Sequence, residues 1–62
     1  MSWLVWIDRW HTVGGAYIEE AELCFDTAEN ATEFARGYLA SVGAGESAHV
    51  QVVEMWFEDN CV

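Results

Sequence analysis

The sequence predicts an α+β domain, ββαβ in chain order, with a three-stranded antiparallel sheet (order 2-1-3) and one helix packed on one face. Three observations predict it. Trp3-Leu4-Val5-Trp6-Ile7 is apolar at every position and rich in β-branched and aromatic residues, the pattern of a central strand covered on both sides. Gly14-Gly15 follows, where a tight hairpin turn needs positive φ. Beyond Asp26, apolar residues recur at intervals of three and four, the period of a helix with one buried stripe.

Strand 1 is expected from about Trp3 to Val13. A two-residue turn at Gly14-Gly15 would set Val13 opposite Ala16, Arg9 opposite Glu20, Trp6 opposite Leu23 and Leu4 opposite Phe25. In that register Leu4, Trp6, Trp10, Tyr17, Ala21, Leu23 and Phe25 meet the helix. Trp3, Val5, Ile7, Arg9, His11, Ile18, Glu20, Glu22, Cys24 and Asp26 form the open face. Asp8, opposite Ala21, must lie at the rim or find a donor.

The helix opens at Asp26 or Thr27, either of which can cap it, and Asp26 with Glu29 has capping-box spacing. Its stripe is Ala28, Ala31, Phe34, Ala35, Tyr38, Leu39 and Val42, and Gly43 is the expected left-handed C-cap. Gly37 inside it costs up to about 1 kcal/mol relative to alanine, and either admits a close neighbour or is simply tolerated. Strand 3 is expected from about Ala48 to Glu58. Val53, Met55 and Phe57 would face the helix, with Glu54 and Glu58 pointing away. Val50, Val52 and Trp56 would then share the open face with Val5 and Ile7. Strand 1, the most apolar, belongs in the middle.

Sixty-two residues make one domain, 1–62, with a thin stability margin. No apolar run approaches the roughly 20 residues of a membrane span, and no basic leader precedes an apolar segment, so a cytoplasmic protein is expected, in the host cytoplasm if the origin is viral. Eleven Asp and Glu face two Arg and no Lys, a formal net charge of −9. Self-repulsion at that density opposes a compact state, and the charge exceeds the magnitude of about 2–8 that keeps a small domain dispersed. That excess points to a functional role. Cys24 and Cys61 lack CxxC spacing and are expected as free thiols.

Two surfaces stand out. The expected open face, with Ile7, Val52 and Trp56 ringed by carboxylates, has the make-up of a contact surface. The acidic rows are the other: Glu19, Glu20 and Glu22; Asp26, Glu29 and Glu33; Glu54, Glu58 and Asp59. Glu20 and Glu22 lie about 6.6 Å apart along a strand, and Glu29 and Glu33 about 5–6 Å apart on a helix. Both separations are of the order of successive phosphates. Such rows can occupy a groove that attracts phosphates, and they argue against direct nucleic-acid binding, which needs Lys and Arg. An ordinary solvated helix face, with Arg36 pairing Glu33, is the simpler alternative. His11 and His49 lie in no metal or Cys-His signature, and no phosphate-binding glycine loop is present, so neither an enzyme nor a metal or other cofactor is expected.

Glu19-Glu20-Ala21-Glu22, the Glu29 to Glu33 row and Glu54 to Asp59, in one Lys-free α/β domain, resemble the small acidic anti-CRISPR proteins of phages, especially short inhibitors of the type I-C Cascade complex. The resemblance covers the whole chain as a type, and transfers no residue by position. It implies a stoichiometric inhibitor, a DNA mimic that binds Cas subunits of the surveillance complex and blocks target DNA binding or PAM recognition. The implied partner is a basic nucleic-acid-binding protein or complex, with no direct nucleic acid, no membrane and a monomer favoured over a homodimer. The competing class is a structural or regulatory module that dimerises or docks through its open apolar face.

Overall fold

A computed structural model describes residues 2–55. It holds β1 (Ser2–His11), β2 (Tyr17–Phe25), α1 (Ala28–Ala40) and β3 (Glu46–Met55). The sheet is antiparallel in order β2-β1-β3, with α1 across one face. The apolar β1 takes the centre, where both neighbours and the helix remove it from water; Val5 is 0% and Ile7 2% exposed.

The register of β1 against β2 differs by one residue from the hairpin expectation. Val5 pairs with Leu23, Ile7 with Ala21 and Arg9 with Glu19, and the register shifts between Arg9 and Trp10. The turn is not the tight two-residue one. His11 N donates to Ala16 O at 2.8 Å and Gly15 N to His11 O at 3.1 Å, so five residues separate the strands. Gly14 and Gly15 do take positive φ, 90° and 75°.

Because strand side chains alternate, a one-residue slip exchanges the faces. Val5 and Ile7 pack with Ala31 of α1, and Trp3, Ala21, Phe25, Tyr38, Val50 and Val52 surround them. On β1 and β3 the face expected to be open is therefore the one the helix covers, while Ala21, Leu23 and Phe25 of β2 keep the helix side expected of them. The reason is energetic. Turning the other side of β1 beneath the helix would bury Asp8, at several kcal/mol for an uncompensated charge. Glu54 is corrected with it: it pairs with Trp3 and so sits on the helix side of β3, half-buried.

Thr27 is the N-cap of α1, its hydroxyl accepting from Asn30 N at 3.1 Å, while Asp26 Oδ1 accepts from Asn30 Nδ2 at 3.5 Å. The helix ends at Ser41, whose N–H donates to Tyr38 O, and the left-handed glycine is Gly45 (φ 79°), not Gly43. Gly45 earns that place by offering its carbonyl to Thr12 N at 2.9 Å, which ties the hairpin loop to the start of β3. A Cβ at Gly37 would meet nothing within 4 Å, so that glycine is merely tolerated. Cys24 is disulfide-bonded, against the expected free thiol. Cys61 lies outside the described residues.

Candidate functional site

The face of the sheet opposite α1 alternates in the second phase of each strand. β1 contributes Leu4, Trp6 and Asp8, β2 contributes Glu20, Glu22 and Cys24, and β3 contributes His49, Gln51 and Val53. Among the described residues no element lies across this face, which is closed at Leu4, 4% exposed, and opens at Trp6. Trp6 is 46% exposed at its middle, and it pairs with Glu22 on one side and Gln51 on the other. Asp8 pairs with Glu20 and with His49. A shallow groove runs between Trp6, Asp8, Glu20 and Glu22.

Like charges directly opposite on neighbouring strands repel, so the Asp8–Glu20 pair works against folding. Asp8→Asn should therefore stabilise the protein, by about 0.2–1 kcal/mol, seen as a higher urea midpoint. An unchanged midpoint in low salt would mean the two carboxylates turn apart.

Neither arginine relieves that face. Arg9 belongs to the helix side, its guanidinium 5.7 Å from the centre of the Tyr38 ring. Its Nη2 is 4.0 Å from Glu19 Oε1 and its Nε 3.8 Å from Glu46 Oε1. These contacts are close enough for attraction but too long for hydrogen bonds, and Nε is buried without a hydrogen-bond partner. Arg36 lies on the helix, and both ion pairs found among the described residues involve Arg9. The Glu33–Arg36 pair of the simpler alternative is thus not formed.

Tyr38 donates its hydroxyl to Glu19 Oε1 at 2.6 Å. Burial, followed by that hydrogen bond, raises its pKa above the ordinary value of 10.0, and nearby Arg9 offsets part of the rise. The folded state then holds the Tyr38 proton to higher pH than the unfolded state does. The contribution is complete below about pH 10 and is lost as pH climbs through the raised value. Tyr38→Phe should flatten the alkaline decline in stability measured by thermal melting from neutral pH upward; an identical decline in wild type and variant would contradict this.

The remaining acidic positions separate by face. Glu19 faces α1 and is engaged by Tyr38 and Arg9. Asp26 is exposed in the bend between β2 and α1, and Glu29 and Glu33 are exposed along the helix, on the far side of the sheet from Glu20 and Glu22. The two rows therefore do not join into one surface. Glu58 and Asp59 lie outside the described residues, as does Trp56. Ile7 and Val52, expected on an open apolar face, belong to the core beneath the helix. Sequence reasoning missed Asp8 and Trp6 as surface groups. The signal that finds them is in β2, where Ala21, Leu23 and Phe25 match the phase of Val5 and Ile7 only if Trp6 and Asp8 turn outward.

Comparison with protein-family models, curated proteins and solved structures found no match. No helix among the described residues is long and apolar enough to cross a membrane. Nor do the described residues bring three His, Cys, Asp or Glu side chains together for a metal ion.

Proposed function

We propose that this chain is a stoichiometric inhibitor that acts by occupancy rather than catalysis. It presents negative charge to a basic nucleic-acid-binding protein, as an anti-CRISPR DNA mimic would present it to Cas subunits of a type I-C Cascade complex. Target DNA binding or PAM recognition is the step it would block. The observation that supports this best is the uncompensated group Asp8, Glu20 and Glu22 on the open sheet face of a chain with net charge −9. That charge opposes folding in a small domain, and an external cationic partner is what would offset it.

Salt tests the reading. Exposed charges are screened within about 8 Å at physiological ionic strength, so capture of Cascade by the immobilised chain should fall steeply between low and high salt. Inhibition of target DNA binding should fall with it, and Glu20→Lys/Glu22→Lys should abolish both. Capture that persists unchanged in high salt, or no effect on DNA binding at any protein excess, would end the proposal. The rival module built on Ile7, Val52 and Trp56 loses support, since Ile7 and Val52 are under the helix.

A further inference from the structure

Two acidic surfaces compete for the partner, and the structure distinguishes them. The helix row, Glu29 and Glu33, shares its surface with Arg36. The sheet face has neither arginine, and it adds what the helix lacks: an exposed indole, Trp6, beside three carboxylates. An aromatic face with carboxylates at its edge is chemically selective. A planar guanidinium stacks on an indole while its N–H groups bond a carboxylate in the same plane, a fit that a compact ammonium matches less well.

We propose that the sheet face around Trp6 is the docking surface, and that its occupant is an arginine-bearing segment of a protein partner laid across β1 and β2. Charge complementarity selects that occupant. A second copy of this chain would set the same three carboxylates against their equivalents with no arginine between them, and a polynucleotide would meet the same repulsion. Asp8 and Glu20, opposed across neighbouring strands, would have their repulsion relieved by a shared guanidinium. This assignment rests on the reading that the partner is a basic protein; it adds which face makes the contact and which side chain is received.

The test keeps the two claims apart by using a peptide as well as Cascade. The full chain is titrated with an arginine-rich peptide and with its lysine counterpart, following backbone amide and indole N–H signals by NMR. The expected result is saturable shifts centred on Trp6, Asp8, Glu20 and Glu22, with the arginine peptide the tighter. Asp8→Asn/Glu20→Gln/Glu22→Gln should weaken binding about tenfold or more, and Trp6→Ala about threefold. Glu29→Gln/Glu33→Gln should leave it within about twofold. Retained amide dispersion shows that each variant is folded. Shifts centred on the helix, or equal losses from the sheet and helix variants, would overturn the assignment. So would concentration-dependent self-association through Trp6 that the peptide fails to displace. Cascade inhibition lost only with the helix variant sinks this face while sparing the inhibitor reading. Peptide binding at Trp6 without any effect on Cascade sinks the inhibitor reading alone.

Discussion

Ile7→Ala is expected to cost roughly 2–5 kcal/mol of folding stability, the usual range for truncating a buried branched residue in a core that cannot collapse around the gap. A chain of this length has only about 3–9 kcal/mol in total. The variant should therefore be largely unfolded, or melt far below wild type. Ile7 is 2% exposed and packs with Val5 and Ala31. Ala31 and Ala35 are too small to move into the space left behind. Trp6→Ala, one residue away on the same strand, should cost much less, because 46% of Trp6 already faces solvent. Urea unfolding of both variants measures the register directly. Under the one-residue slip that a two-residue Gly14-Gly15 turn would impose, the order reverses, with Trp6→Ala severe and Ile7→Ala mild.

Arg9→Ala should cost roughly 1–2 kcal/mol, summing modest parts. The guanidinium draws β2 through Glu19, the start of β3 through Glu46 and the helix through the Tyr38 ring. Neither ion pair is short, and Glu19 is 45% exposed, so solvent screens much of the attraction. The cation still matters beyond its pairs, since it is one of two in a chain of net charge −9. Its side chain is also largely withdrawn from solvent, 24% exposed. Glu46 would keep its hydrogen bond from Gly43 N at 3.2 Å, which limits the damage to β3. The loss should shrink as salt is added, because salt weakens the wild-type attraction and also softens the added repulsion in the variant. A loss that stays constant from low to high salt would assign Arg9 a packing role alone.

The architecture was legible because its signals are local and redundant. The apolar run through Ile7 places β1 in the centre, and the three- and four-residue recurrence from Ala28 to Tyr38 places the helix. Thr27 and the glycines mark the ends. Even the partnership of Val5 and Ile7 with Val50 and Val52 was readable, since all four share a phase and were expected on one face. What was not readable was which side of the sheet that face is. The hairpin register decides it, and a bulge between Arg9 and Trp10 decides the register.

The candidate site inherits that division. That the chain is acidic, free of lysine and carries Glu20 with Glu22 in one phase of a strand follows from the residues alone. That Asp8 and Trp6 join them, while Glu19 turns under the helix to meet Tyr38 and Arg9, does not.

Composition and periodicity determined three strands, one helix and a heavy negative charge, because each is a property of neighbouring residues or of their sum. Only the tertiary structure decided which carboxylates face outward together. That choice depends on a one-residue offset between strands. The offset is set by the cost of burying Asp8 against the gain of burying Val5 and Ile7, a comparison that exists only once the helix has a face to cover.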